Sequence, residues 1–392
     1  MRTTSFALPR GISPKRFFLP FLRLGLVAFG GPAMVAYIKA LAVSKEGWLS
    51  EDDFNEGVVL CQAIPGATAL QMAAYVGLRA SGPMAAVVSF LGFALPAFLL
   101  MLSLSALYVW GQELGGVVAL FQGLKVIVVA IVLNATWGFG RRLLHNPRDF
   151  LLALLAAGLL LQGLSPFAVI GGAALAGIFL YRELAPGALP SAPHGGAASV
   201  ARQALTIGLA VALVLAALYL LDGELFSLAV VMMKVDLFAF GGAFAALPLL
   251  LHEVVKVRGW LQPEVFMDGV ALGQVTPGPV VITATFIGYM VRGLVGALVA
   301  TVAVFTPSLS VLVLLAPVFA RLRGSVLFHR ATRGVLCSFV GLLLFVTLRF
   351  ALSADWDVAK ALLFAASAGA LLRGAEIVYV VLLGAGVSVL LF

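Results

Sequence analysis

Two stretches 212 residues apart decide how this 392-residue chain is organised: GWLSEDDFNEGVVLCQAIPG over 47–66 and GWLQPEVFMDGVALGQVTPG over 259–278. Ten of the twenty positions are identical, among them Phe54/Phe266, Gly57/Gly269, Gln62/Gln274, Pro65/Pro277 and Gly66/Gly278. Similarity recurring at a fixed long interval marks a duplicated structural unit. Upstream, with a one-residue shift, Ala28-Phe29-Gly30-Gly31 aligns with Ala239-Phe240-Gly241-Gly242. Downstream, Gly77 aligns with Gly288, Gly82 with Gly293 and Pro96 with Pro307. The chain contains one unit twice.

The medium around that unit follows from composition. Hydrophobic residues make up 62% of the chain and charged residues 11%, against roughly 25% charged in soluble proteins. So few polar groups cannot cover a water-facing surface. A cytosolic enzyme, a secreted disulfide scaffold and a disordered protein are therefore excluded. The apolar runs are continuous rather than alternating, which excludes a transmembrane barrel. A crossing helix needs about 20 apolar residues. The runs predict about 13 spans, at 17–43, 58–79, 83–110, 115–140, 149–163, 165–181, 201–221, 225–250, 268–290, 294–320, 333–351, 356–372 and 375–392. The expected fold is an all-α polytopic membrane protein.

These spans divide as six, one and six: a first repeat over 1–181, a linker and extra helix over 182–224, and a second repeat over 225–392. The linker Arg182–Ser199 carries Pro186, Pro190, Pro193 and His194. An even half followed by one crossing places the second half upside down, the inverted-repeat plan of secondary transporters. Re-entrant hairpins within each half would change the count and keep the inversion.

Arg2, Arg10, Lys15 and Arg16 precede the first apolar run, which is too long for a signal peptide and lacks a clear cleavage site. An uncleaved first span with a cytoplasmic N-terminus is expected. Thirteen spans then place Arg79, Arg141, Arg142, Arg148, Arg182, Arg202, Lys256, Arg258, Arg321, Arg323, Arg330, Arg333 and Arg373 inside. Lys39, Lys45, Arg292, Arg349 and Lys360 fall outside, as does the C-terminus. This is the positive-inside bias of an inner-membrane protein, and it explains the net charge of +8 without a nucleic-acid partner. Cys61 and Cys337 are far apart in sequence and imply neither a disulfide framework nor a metal site.

Each half breaks its apolar runs twice at matched places: Phe29-Gly30-Gly31-Pro32 with Phe240-Gly241-Gly242-Ala243, and Ile64-Pro65-Gly66-Ala67 with Thr276-Pro277-Gly278-Pro279. Proline removes a backbone donor and glycine permits the break. Irregular backbone at membrane depth is tolerated where it lines a wet cavity. Helix starts after such breaks present N–H groups and partial positive charge to an anion. Close helix packing and simple kinks are the alternative roles for these residues.

Arg23 and Lys234 each lie seven residues before a Gly-Gly break, on the same helix face about 10 Å away. They are candidate substrate cations, with interfacial snorkelling the alternative for Arg23. Gln62, Gln274 and Thr276 add neutral donors and acceptors. Lys125, in mid-span with Arg333 as a loose counterpart, and Asp236, with Gly25 in its place in the first half, are candidate coupling groups. Asp236 also stands two residues from Lys234 and would suit an ion pair with a membrane cation. Glu56 and Asp268 are expected at helix starts, and Trp48 and Trp260 at the interface. His252-Glu253-Val254-Val255-Lys256 lacks the second histidine of a zinc motif, and no phosphate-loop motif is present. Neither an enzyme activity, a cofactor nor a metal is expected.

At these blocks, and above all in Asp268-Gly269-Val270-Ala271-Leu272-Gly273-Gln274-Val275-Thr276-Pro277-Gly278-Pro279, the chain resembles the chromate ion transporter family in its long, two-domain form. The resemblance implies efflux of chromate from a bacterial cytoplasm, with sulfate as an isostere. By position it carries over Gly30, Gly31, Pro32, Pro65, Gly66, Gly241, Gly242, Pro277, Gly278 and Pro279. The first half departs from the second in having Ala67 where the copy has Pro279. A passive anion channel, a transporter of another oxyanion and a non-transporting membrane scaffold are the alternatives. Assembly into a homo-oligomer is left open.

Overall fold

The computed structural model describes residues 12–29, 32–111, 114–183, 197–319 and 324–392, and within them the chain forms sixteen α-helices. The first copy opens with two helical hairpins. Helix α1 (Lys15–Val27) is followed by α2 (Pro32–Lys39), which widens into a π-helical turn over Ala40–Lys45. Phe17 and Phe21 of α1 meet the ring of Trp48 at 4.4 and 6.0 Å between centroids, so the chain has returned to where α1 began. Helices α3 (Glu51–Ala63) and α4 (Thr68–Ser81) fold back in the same way, with Arg79 2.6 Å from Asp53 and Gly57 against the ring of Tyr75.

The second copy repeats both hairpins. Helix α10 (Gly223–Phe238) returns through α11 (Ala246–Leu250) and a π-helical turn over Leu251–Val257, with Lys234 2.6 Å from Glu253. Helix α12 (Pro263–Val275) folds onto the start of α13 (Thr283–Leu315), where Gly269 lies against Phe286. Within α13 the backbone leaves helical geometry at Arg292 and Gly293, separating the hairpin arm from a long span.

These hairpins correct the span assignment. The stretches 17–43, 58–79, 225–250 and 268–290 are each a pair of short antiparallel segments rather than one crossing. A Pro-Gly break can reverse a chain as readily as kink it, and hydropathy registers neither choice. A helix of 13 residues, such as α1, α3 and α12, is about 20 Å long, short of the roughly 30 Å hydrocarbon core. Asp268, expected at a helix start, sits in the middle of α12 and is buried.

Two long helices and then a pair of 15-residue helices follow each hairpin pair. The first copy continues with α5 (Pro83–Gly111), α6 (Gly115–Leu143), α7 (Pro147–Leu161) and α8 (Pro166–Leu180). After α13 the second copy continues with α14 (Val326–Ser353), α15 (Val358–Leu372) and α16 (Ile377–Leu391). Several starts are written locally. Ser50 accepts from the backbone of Asp53, Asp222 from Glu224 and Leu225, Ser325 from Phe328 and Asp357 from Lys360, while Asn146 and Asp149 cap α7 reciprocally. Asp222 lies in a connecting turn, where the Arg292 guanidinium and the α10 N–H groups hold its carboxyl below the ordinary carboxylate range.

The two copies interlock. Helix α6 packs against α15 and α16 of the second copy, and its counterpart α14 packs against α7 and α8 of the first. The long pair α6 and α14 cross where Thr136 and Thr347, matched positions of the repeat, share a 3.1 Å hydrogen bond. Helix α9 (Ala197–Leu221), which joins the copies in sequence, leans on α10 and α13, and its apolar stretch 201–221 has no buried residue. Among the described residues, five helical stretches are long and apolar enough to cross a membrane: Pro83–Gly111, Gly115–Leu143, Ala201–Leu221, Val280–Val318 and Val326–Ser353. Apolar side chains such as Trp110, Leu220 and Leu390 stand largely exposed, as a lipid-facing surface requires. The chain is a multi-pass membrane protein.

Candidate functional site: a cavity where four hairpin tips meet

The four hairpin tips converge on one another. Gly66 donates its N–H to the Ala239 carbonyl at 3.0 Å, and Gly278 donates to the Ala28 carbonyl at 2.9 Å. These are the same contact made twice with the copies exchanged, the reciprocity of a two-fold axis. Each Pro-Gly tip thus holds the end of a helix in the other copy. The tip backbone needs glycine, since φ is +114° at Gly66 and +111° at Gly278. Gln71, fully buried on α4, donates to the Pro65 carbonyl at 2.6 Å and fixes the first tip. Thr276 turns its hydroxyl to Leu272 O at 2.8 Å, ending α12.

Beside the tips the copies differ. In the second, Asp236 is 1% exposed and accepts the backbone N–H of Ser308 at 2.7 Å and its hydroxyl at 2.7 and 2.8 Å. In the first, the matched positions hold Gly25 and Ala97. The Ser308 hydroxyl lies directly over Gly66, where Cβ of any other residue would sit. Asp236 therefore anchors a tip of the other copy through one serine. It does not pair with Lys234, whose amine instead meets Glu253 and lies 3.8 Å over the Phe167 ring.

A cavity of about 930 Å³ opens beside the tips. Phe29, Gly241, Gly242, Thr276 and Gly278 line it, as do Gln62, Gln274 and Thr68, so three of the four breaks and the helix ends flanking the fourth share one space. Gly241 and Gly242 have φ of +94° and +103°. Gly30 and Gly31 lie outside the described residues. Pro65 and Pro277 are buried in the tips without lining the cavity.

The cations selected by matching the copies do not line it: Arg23 is exposed on α1, and Lys234 is engaged by Glu253. The cations in the wall are Lys39, ion-paired with Glu51, and Arg142 at the end of α6. Thirteen spans put these two on opposite sides of the membrane; the α1–α2 hairpin puts them in one cavity. Asn55, Asn134 and Thr68 complete its polar lining. Sequence reasoning missed Asn134 and Arg142, although four-residue spacing through Gly138 aligns all three on one helix face.

Lys125 sits elsewhere, with its Nζ 3.9 Å from Asp268 Oδ1, while Tyr108 donates to Asp268 Oδ2 at 3.0 Å. The Tyr108 ring is edged by Phe121 and Phe286 at 4.9 and 5.2 Å. The cluster ties α5 and α6 of the first copy to α12 of the second. Removing either charge of a buried pair strands the other. Asp268→Ala is expected to cost about 1–3 kcal/mol, because Lys125 retains some solvent. The double variant Lys125→Ala/Asp268→Ala should melt above the sum of its single losses, as thermal denaturation in detergent would show. Arg333, the loose counterpart of Lys125, pairs with Asp149 at 2.6 Å.

A family model described as "Chromate transporter" matches the chain twice, over residues 15–178 and 226–389. An uncharacterized transporter of Methanocaldococcus jannaschii is 41% identical over 95% of this chain and 92% of its own. A chromate transport protein of Pseudomonas aeruginosa is 33% identical over 78% of this chain and 73% of its own. One of Cupriavidus metallidurans is 31% identical over 78% and 75%. No solved structure matches.

Proposed function

The chain belongs to the chromate transporter family, and from that membership we propose that it is a secondary transporter exporting chromate from the cytoplasm. The observation that carries the reading is the reciprocal pair Gly66–Ala239 and Gly278–Ala28, which puts irregular backbone from both copies beside one cavity. Backbone freed from helices supplies N–H groups to a tetrahedral dianion, and Gln62, Gln274 and Thr276 add side-chain groups. Sulfate has the same shape and charge and is the natural competitor.

The proposed topology is drawn from the hairpins. In this reading the first copy begins and ends on the cytoplasmic side, because its hairpins return there and α5 and α6 cross in opposite directions. Tyr181, at the end of α8, donates to Asp149 at the start of α7 at 2.6 Å, so this last pair also returns. Helix α9 then crosses once and the second copy runs inverted, with the C-terminus outside. Lys39 and Lys45 join Arg79, Arg141, Arg142 and Arg148 on the inside, and Lys256 and Arg258 move outside. Two cations move each way, so the positive-inside bias is preserved. In this reading the cavity, with Lys39 and Arg142 in its wall, faces the cytoplasm.

An interior negative by 100 mV favours expulsion of a dianion by about 4.6 kcal/mol, so export needs no ATP. Asp236 and the Lys125–Asp268 pair are the membrane-embedded groups able to couple a second ion. The deciding experiment is chromate flux in proteoliposomes with the pH gradient and membrane potential set independently. Saturable flux that follows the potential supports this reading. Flux proportional to concentration without saturation identifies a channel, and absent flux for chromate and sulfate alike overturns oxyanion transport.

A further inference from the structure

One wall of the cavity belongs to α6, which presents Asn134, Gly138 and Arg142 to it in successive turns. Among the described residues, the lining includes two cations and no carboxylate. Lys39 is already engaged by Glu51, whereas the exposed Arg142 side chain makes no ion pair or hydrogen bond among them. A methyl group built on Gly138 meets no atom within 4 Å, so the helix faces open space there. Towards the tips, Gln274 is 7% exposed, and its Nε2 lacks an acceptor. A buried amide donor without a partner is costly unless a ligand or water fills the place.

We infer that α6 is the substrate track: Arg142 captures the oxyanion at the cytoplasmic mouth, Gly138 leaves room for it to pass, and the amides of Asn134 and Gln274 receive it beside the tips. The inference rests on the oxyanion-transport reading and replaces Arg23 and Lys234 as the cations that meet substrate. The chemistry suits the order of residues. An exposed guanidinium attracts a hydrated dianion without binding it too tightly to release, and neutral amides replace its hydration deeper in without holding it by charge. Because Arg142 is exposed, its attraction is screened by salt.

The tests use the full chain in proteoliposomes. Arg142→Gln should raise KM for chromate about ten- to hundredfold, the loss of one charge-assisted contact, with a smaller change in kcat. Arg142→Lys should recover most of it. The wild-type KM should rise with ionic strength, and that of Arg142→Gln should be flatter. Gly138→Leu should stop flux while leaving the melting temperature unchanged, because leucine favours the helix and enters empty space. Arg23→Ala should retain wild-type KM.

A readout independent of turnover is alkylation of Gly138→Cys, since both native thiols are buried. Chromate and sulfate should slow it saturably, and chloride at equal ionic strength should not. Wild-type flux with unchanged KM in Arg142→Gln, or full flux in Gly138→Leu, overturns the track. Absent wild-type flux overturns the transport reading instead, and alkylation at Gly138→Cys then decides the track: no protection by either oxyanion ends it.

Discussion

Gly66→Ala is expected to abolish transport and to lower stability by about 3–6 kcal/mol. Two effects add. At φ +114° an alanine is strained by about 1–3 kcal/mol. Its Cβ also falls on the Ser308 hydroxyl and 2.9 Å from Gln71 Nε2. Neither neighbour can yield freely, because Ser308 is held by Asp236 and Gln71 by the Pro65 carbonyl. Moving Ser308 breaks a hydrogen bond to a buried carboxylate, worth about 1.5–3 kcal/mol. Gly278→Ala supplies the control. Its φ of +111° carries similar strain, but the new Cβ meets only the Ala97 methyl at 3.0 Å. It should melt above Gly66→Ala by a margin that Ser308→Ala narrows. Thermal denaturation in detergent with flux measured in parallel checks this; equal losses in the two glycine variants would show that Ser308 does not hold the tip.

Asp149→Ala is the second large effect, and it acts on the interlock of the copies. Asp149 is fully buried at the start of α7 and accepts from Tyr181 at 2.6 Å, Arg333 at 2.6 Å, and the backbone of His145 and Asn146 at 3.0 and 3.1 Å. Three helices therefore depend on one carboxylate: α7 and α8 of the first copy and α14 of the second. Alanine uncaps α7 and leaves the Arg333 guanidinium without its counter-charge. The expected cost is about 3–5 kcal/mol. Tyr181→Phe, which removes one neutral donor, should cost about 0.5–1.5 kcal/mol. Replacing both ions with leucine should recover part of the loss, since no unpaired charge remains. A fall in melting temperature as large for Tyr181→Phe as for Asp149→Ala would mean that packing of α8, rather than the ion pair, joins the copies.

Both predictions concern positions that the duplicated sequence marks unequally. Gly66 and Gly278 are legible because the same break occurs twice in the same surroundings, and coincidence does not place Pro-Gly three residues after a glutamine in both copies. Asp236 was visible as an acid in an apolar helix, but its partner was not. Lys234 is two residues away in sequence, and residues two apart on a helix point to nearly opposite sides, so the lysine finds Glu253 across the hairpin and the aspartate finds Ser308. Arg142 was hidden for another reason. Sited at the end of a long apolar helix, it has the appearance of a topology signal, and only the return of α1–α2 makes its surroundings part of a cavity.

The amino-acid sequence by itself determined the solvent, the helical class, the duplication and the four places where helices break. Each of these is a property of composition or of local backbone chemistry. Tertiary structure decided which way the chain leaves each break, how the copies exchange helices and which polar groups share the cavity. A proline and a glycine remove helical hydrogen bonds without prescribing a direction. The direction is chosen by what the returning segment packs against: Trp48 on Phe17, Tyr75 on Gly57, Phe286 on Gly269. Those contacts join residues far apart along the chain, and they turn matched breaks into one site.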